Sequence, residues 1–221
     1  MFRSFLVTLI VMPVLASAAD RVGDFSLLDQ DGYHHGMSWY DDHEAIVFLV
    51  QSNDSESVAA SIPEFSDLKA KFDAAGVEFM MINPMGRSNR EAVQEKVKEY
   101  GVDIPVLMDD ARFISEALGI ERLGEVLIFD PEQFTVEFRG SVQSVEIAIE
   151  QVLDDEEILP RVVQTNGMMV NYPQRETPSY VADIAPVLAE QCASCHREGG
   201  VAPFAMDSHT MVKGWSPMIR E

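Results

Sequence analysis

Two cysteines and a histidine form the most chemically informative pattern in this sequence. The chain contains only two cysteines, Cys192 and Cys195, and His196 directly follows the second. Thiols at this spacing can each form a thioether bond to a vinyl group of a haem, and the adjacent imidazole can then bind the iron as its proximal ligand. The motif therefore predicts one covalently attached haem c, held by Cys192, Cys195 and His196.

Three other uses of the two thiols remain open. A dithiol redox pair usually follows a strand and begins a helix, where the helix dipole lowers the thiol pKa. Here residues 183–191 predict a short helix that carries the motif at its C-terminal end, although Pro186 lies inside it. Zinc would need further ligands, and only His209 is near in sequence. A disulfide across so short a loop would contribute little stability.

The charge of the chain restricts its partners. Asp and Glu number 37 against 16 Lys and Arg, which gives a net charge of -21. A surface this acidic repels nucleic acid and anionic lipid and attracts basic proteins, although high net charge also serves solubility alone. We therefore expect a redox protein as partner, with a basic one favoured by charge, and no nucleic acid.

Residues 1–18 have the features of a secretory signal peptide. Arg3 is followed by an apolar stretch at 5–15 and by the small-residue cleavage site Ala16-Ser17-Ala18. No later stretch is long and apolar enough for a transmembrane helix. We expect a mature chain that begins near Asp20, has no transmembrane segment, and acts in the periplasm or elsewhere outside the cytoplasm.

Residues 20–165 alternate between strand and helix patterns. Continuous apolar runs and a hairpin signal at Pro131 predict strands at 45–50, 77–82, 105–108, 125–130 and 135–139. Amphipathic spacing predicts helices at 62–75, 90–100, 111–118 and 142–153. This order predicts a three-layer α/β domain with a mixed sheet.

The same stretch resembles the redoxin, or peroxiredoxin-like, division of the thioredoxin fold. The matching pieces occur in the family's order: 22–25, 45–50, 82–84, 105–110 and 125–131. The resemblance implies a thioredoxin-like fold. In the family it also implies a nucleophilic cysteine just after the central strand, a position that Asn53 occupies here.

Further family features are missing at matching positions. The resemblance places Gly124 where the family has a cis-proline beside its substrate groove, and Met168 where it has another cysteine. An amide cannot replace a thiolate in disulfide exchange or peroxide reduction. We therefore expect a catalytically degenerate redoxin domain that serves binding or scaffolding. His34 and His35 lie in a polar turn, where a surface role is favoured over a metal site.

Beyond a Pro-bearing linker predicted at 166–178, residues 179–221 resemble the cytochrome c segment of large bacterial exported proteins. The resemblance rests on Asp183–Leu188, on the cysteine–histidine motif, and on Gly199–Phe204. In those proteins a redoxin domain precedes the haem segment, and a copper type II, ascorbate-dependent monooxygenase-like domain often follows. The resemblance implies electron transfer by an all-α segment that is incomplete in this chain.

Three hypotheses of function follow. The first is an exported c-type haem electron-transfer protein with a degenerate redoxin domain. The second is the N-terminal accessory portion of a copper-dependent monooxygenase, with catalysis in downstream sequence. The third is a thiol-disulfide oxidoreductase or peroxiredoxin-like antioxidant enzyme. For the haem hypothesis we expect none of Met206, Met211 and Met218 to be the sixth iron ligand. Met206 closely follows Pro203, in a loop expected near the proximal side, and the other two belong to a helix that is only beginning.

Overall fold

The computed structural model describes residues 20–85, 90–172 and 178–220, with side chains for 21–85, 90–172 and 178–215. The predicted signal peptide lies outside these residues. Contacts divide the chain into two units, one ending at Tyr172 and one beginning at Pro173. Within the described residues, no helix is long and apolar enough to cross a membrane.

The first unit is built on a six-stranded mixed sheet. The strands of the unit are β1 (Asp20–Arg21), β2 (Ser26–Leu28), β3 (His34–Gly36), β4 (Ala45–Val50), β5 (Val77–Asn83), β6 (Val106–Met108), β7 (Val126–Asp130) and β8 (Thr135–Gly140). The order in the sheet is β1-β8-β7-β4-β5-β6, in which β4, β5 and β6 run parallel, whereas β7 and β8 form an antiparallel hairpin beside β4. The predicted mixed sheet is confirmed.

Helices join the strands and cover the sheet. In the first unit they are α1 (Glu56–Phe72), α2 (Arg90–Tyr100), α3 (Phe113–Ala117) and α4 (Val142–Leu153). Every residue of β4 is buried. Phe48 and Phe129 share one face of the sheet, where their ring centroids are 6.0 Å apart, while Phe79 points to the other face and packs at 5.3 Å against Phe65 of α1. Side chains cover both faces, which explains why the central strands are uninterrupted apolar runs.

Helix α1 begins at Glu56 rather than at the predicted Ile62. Ser55 caps its N-terminus by accepting a hydrogen bond from the Val58 backbone N–H at 3.4 Å. The first turns are rich in Ser and Ala, so the apolar spacing that indicates a helix begins only later. The prediction was therefore wrong about this boundary, and Pro63 lies inside the helix rather than near its start.

Strands β2 and β3 form a separate two-stranded hairpin that the sequence did not indicate. Ser26 pairs with Gly36 and Leu28 with His34. The turn between them is closed by Asp29, whose Oδ1 accepts hydrogen bonds from the backbone N–H groups of Asp31 at 2.8 Å and Tyr33 at 2.9 Å. The strands are too short and too exposed to show alternation in the sequence.

Residues 158–172 extend along the first unit, past the predicted boundary at 165. The backbones of Arg139 and Val163 hydrogen bond at 2.8 Å, and the N–H of Leu123 donates to the Met168 carbonyl at 2.9 Å. The Tyr172 hydroxyl donates to the carbonyl of Ile120 at 2.7 Å. The first half of the predicted linker is thus packed as part of the first unit.

In the described part of the second unit, the regular elements are helical. Residues 180–192 form one continuous helical segment, here called the motif helix. It consists of a π-helical turn at Tyr180–Ile184, α5 (Ala185–Val187) and a second π-helical turn at Leu188–Cys192. A final helix, α6, spans His209–Arg220. The cytochrome c-like character of this unit remains a prediction.

Candidate functional site

The cysteine–histidine motif lies at the C-terminal end of the motif helix, as the sequence predicts. Cys192 is the last residue of the helix, and its carbonyl accepts hydrogen bonds from the N–H groups of Cys195 at 3.2 Å and His196 at 2.9 Å. This turn folds the motif back on itself. Both thiols are free, with Cys192 half-buried and Cys195 exposed. The site is therefore open on the side of Cys195.

The His196 imidazole is held by a single well-defined hydrogen bond. Its Nδ1 lies 2.9 Å from the carbonyl oxygen of Phe204. A carbonyl can only accept, so Nδ1 carries the proton in this bond, and in the neutral ring Nε2 is then the nitrogen without a proton. The Phe204 ring packs against the imidazole at 4.8 Å and stacks on Trp215 at 4.8 Å. The ring is thus fixed with Nε2 available as a ligand, which is the usual arrangement of a metal-binding histidine.

The loop after the motif is closed by backbone hydrogen bonds. The Ala202 N–H donates to the Cys195 carbonyl at 3.2 Å, and the Met206 N–H donates to the His196 carbonyl at 2.8 Å. A cavity of about 470 Å³ lies within this loop. It is lined by loop residues from Arg197 to Asp207 and by Met211, and not by the two cysteines or His196. The cavity is therefore no evidence for a haem pocket.

The zinc alternative gains no support from the structure. Among the described residues, no group of three or more His, Cys, Asp or Glu side chains is placed to hold a metal ion. His209, the only nearby candidate in the sequence, packs its ring against Tyr180 at 4.6 Å.

The position expected for a catalytic thiol in the first unit is occupied by amides. Asn53 lies just beyond β4, and its Oδ1 accepts a hydrogen bond from Gln51 Nε2 at 2.8 Å. Gln51 in turn accepts from Asn83 Nδ2 at 3.0 Å, and both of these side chains are buried. Three neutral amides therefore fill the end of the two central strands, where they can form hydrogen bonds but cannot act as nucleophiles.

Gly124 has a backbone that proline cannot adopt. Its φ is +79°, whereas the proline ring fixes φ near about −65°. Its N–H also donates to the Val50 carbonyl at 2.8 Å, and proline has no such donor. The cis-proline that the resemblance places here is thus incompatible with the local structure as well as absent from the sequence.

Comparison with known proteins agrees with this fold. The AhpC/TSA family model matches residues 18–145, more than half of the chain. The chain belongs to the AhpC/TSA family. No curated protein matches the sequence.

Solved structures similar to this AhpC/TSA member share its fold at low sequence identity. A hypothetical protein from Sinorhizobium meliloti 1021 has a TM-score of 0.64 and 18% identity over 71% of this chain and 95% of its own. An uncharacterized conserved protein from Geobacillus kaustophilus has a TM-score of 0.63 and 17% identity over 76% and 100%. A thiol:disulfide interchange protein of the thioredoxin family from Chlorobium tepidum has a TM-score of 0.52 and 15% identity over 62% and 98%. The thioredoxin-like fold predicted from the sequence is confirmed.

The family match supports the thiol-based alternative more directly than the haem hypothesis, because it concerns the redoxin domain and not residues 179–221. Yet the only cysteines of this AhpC/TSA member are Cys192 and Cys195, outside the matched residues. A thiol reaction of the family's kind would therefore have to use the cysteines of the second unit.

Sequence analysis missed one polar arrangement in the first unit. It assigned both His34 and His35 to the surface, and this was wrong for His35, whose side chain is only 15% exposed. The imidazole lies between Asp29 and Tyr40, with hydrogen bonds to both. The pattern Asp-x₅-His-x₄-Tyr corresponds to no standard motif, and only the turn at Asp29 brings the three side chains together.

Proposed function

We propose that this chain is an exported c-type haem electron-transfer protein whose redoxin domain has no thiol chemistry of its own. The observation that carries the proposal is the hydrogen bond from His196 Nδ1 to the Phe204 carbonyl, directly beside the two cysteines. It fixes the tautomer and the ring orientation that a proximal haem ligand needs.

Each residue of the motif fits one role. Cys192 and Cys195 would form the two thioether bonds, and both are free in the structure. Nε2 of His196 would bind the iron, while the Phe204 carbonyl holds the opposite nitrogen. When bound, the haem supplies a centre that accepts and donates single electrons.

In this proposal the redoxin domain binds or positions a partner. Its amide cluster at Gln51, Asn53 and Asn83 has no nucleophile, and Gly124 removes the proline of the family's groove. The net charge of -21 favours a basic redox protein as the partner. Action in the periplasm, or elsewhere outside the cytoplasm, rests on the predicted signal peptide.

A second candidate function is thiol-disulfide exchange by Cys192 and Cys195. Membership of the AhpC/TSA family favours it, because thiol chemistry is the family's usual activity. Its weakness is the position of the two thiols, which close the C-terminal end of a helix, whereas a dithiol redox pair usually begins one.

Covalent haem staining separates the two candidates. The full chain is produced with haem-maturation machinery, denatured, run on a gel and stained for haem peroxidase activity, since thioether bonds survive denaturation. We expect staining of the wild type, reduced staining of C192A and of C195A, and unchanged staining of S194A. Ser194 is the matched control because it is exposed and lies between the two cysteines.

Two results would decide against haem. A folded wild-type chain without covalent haem would overturn the proposal. Reduction of a disulfide substrate by the same preparation, lost in C192A, would then establish the second candidate.

A further inference from the structure

A chain of hydrogen bonds in the first unit joins a carboxylate, an imidazole and a phenol. Asp29 Oδ2 lies 2.9 Å from His35 Nε2, and His35 Nδ1 lies 2.8 Å from the Tyr40 hydroxyl. Asp29 is 4% exposed, and its other carboxylate oxygen accepts two backbone N–H groups. A carboxylate oxygen accepts hydrogen bonds and does not donate them.

The two hydrogen bonds indicate which atom donates the proton in each. Because the Asp29 carboxylate accepts, His35 Nε2 carries the imidazole proton. In the neutral ring Nδ1 is then an acceptor, so the Tyr40 hydroxyl donates to it. The two ring planes are nearly parallel, with an interplanar angle of 6° and ring centroids 6.4 Å apart.

We propose that Tyr40 is a redox-active tyrosine, a one-electron donor whose phenol proton moves to His35 as the electron leaves to a high-potential one-electron metal oxidant. The O–H bond of Tyr40 breaks and an N–H bond forms at His35 Nδ1. One electron reduces the oxidant, and a neutral tyrosyl radical remains. The resulting imidazolium keeps its Nε2–H bond to Asp29, whose negative charge stabilises it.

The surroundings of Tyr40 suit this role. Burial, followed by the negative charges of Glu78 and Asp29, raises the pKa of the Tyr40 phenol. The phenol therefore stays protonated at neutral pH, and its oxidation requires a proton acceptor. His43 packs its ring edge against Tyr40 at 5.4 Å, and its own Nδ1 is bonded to Asp42.

A purely structural reading assigns the same bonds to holding the β2–β3 hairpin. The two readings differ at Asp29→Asn. An asparagine can still accept the two backbone N–H groups that close the turn. Its amide N–H₂ can also donate to His35 Nε2, which moves the imidazole proton to Nδ1 and leaves Tyr40 without an acceptor. We therefore expect D29N to keep the fold, whereas the Tyr40 phenol loses the acceptor for its proton.

The test is oxidation of the full chain by photogenerated ruthenium(III) tris-bipyridine, with the tyrosyl radical followed by time-resolved electron paramagnetic resonance. All variants carry W39F, because Trp39 is exposed and adjacent to Tyr40. The Tyr40 signal is the part of the trace that Tyr40→Phe removes. Tyr33→Phe is the matched control, since Tyr33 is exposed and belongs to the same hairpin turn.

We expect Tyr40→Phe to remove most of the early radical and Tyr33→Phe to leave it. In D29N, with its fold checked by circular dichroism, the rate of Tyr40 radical formation should fall by about tenfold or more. An unchanged rate in folded D29N, or an early radical that persists in Tyr40→Phe, would overturn the proposal. If D29N does not fold, the wild-type rate in D₂O decides: slowing supports coupled proton transfer, and equal rates in H₂O and D₂O refute it. The test involves neither cysteine and is independent of haem attachment.

Discussion

At the scale of single residues, Glu125 places a carboxyl group where water barely reaches it. The side chain is 8% exposed at the start of the β7–β8 hairpin. Burial raises the pKa of this carboxyl, and hydrogen bonds from the Glu121 and Arg122 backbones offset that effect only in part. The folded state therefore holds the Glu125 proton to higher pH than the unfolded chain does.

The sign of the resulting pH dependence follows by linkage. Where the folded state binds more protons, the free energy of unfolding falls as pH rises. The Glu125 contribution is fully present below the ordinary carboxyl pKa and is lost as pH rises through the raised one. We expect E125Q to match the wild type at low pH and to be the more stable protein at neutral pH. Urea unfolding across this range measures the difference, and E132Q, at an exposed position, is the control. If the free energies of unfolding of the wild type and of E125Q changed in parallel with pH, the prediction would be wrong.

The proposed haem raises a second question about single residues, namely which residue would be the sixth iron ligand. Met206 is 8% exposed, and its backbone is tied to the His196 carbonyl at 2.8 Å. This bond holds the Met206 backbone in the loop beside His196, and we therefore expect that its sulfur would not serve as a second iron ligand if His196 held the iron.

We therefore expect the haem-loaded chain to lack the near-infrared methionine-to-iron charge-transfer band. Substituting Met206, Met211 or Met218 by Leu should leave the haem spectrum unchanged. A clear near-infrared band that disappears in one of these variants would show that this methionine is the ligand.

At the scale of elements, the stability of helix α1 depends on the Ser55 hydroxyl that caps its N-terminus. Ser55 is nearly buried and accepts from the Val58 N–H. Removing a serine cap leaves a helix N–H without its partner, at a cost of about 1 kcal/mol. We expect S55A to lower the free energy of unfolding by about this amount in urea titrations of the first unit.

Ser61 is the matched control for this prediction. Its hydroxyl donates to the Ser57 carbonyl on the exposed side of the same helix, an interaction worth little. S61A should change the free energy of unfolding by less than about 0.5 kcal/mol. If S55A were as stable as S61A, the cap would be unimportant.

The central strands could be predicted from the sequence, whereas some of the hydrogen bonds between distant residues could not. The runs at 45–50 and 126–129 are apolar because sheet neighbours and helices cover both of their faces, and the strands were predictable for that reason. The cysteine motif was recognisable because its chemistry is local. The link from His196 to Phe204 and the chain from Asp29 to Tyr40 were not predictable, because each depends on how an intervening turn closes.

At the scale of the whole molecule, the acidic charge should control association with redox partners. Opposite charges steer encounter, and salt weakens this effect because the Debye length falls from about 30 Å at 0.01 M to about 8 Å at 0.15 M ionic strength. With a net charge of -21, the haem-loaded chain should exchange electrons with a lysine-rich redox protein about tenfold faster at the lower ionic strength.

Stopped-flow mixing at several ionic strengths measures this rate. An acidic redox protein of similar size and potential is the control, and its rate should rise with added salt. A rate with the basic protein that does not change with salt would show that the charge serves solubility alone.

The backbone at Gly124 has an evolutionary consequence. Restoring a thiol by Asn53→Cys would replace one residue, but the groove would still lack its proline. The fold cannot accommodate Gly124→Pro as a single substitution. The φ of +79° at Gly124 and the hydrogen bond from its N–H to the Val50 carbonyl both exclude the pyrrolidine ring. Reversion to a thiol enzyme therefore needs a rebuilt loop before either substitution is useful.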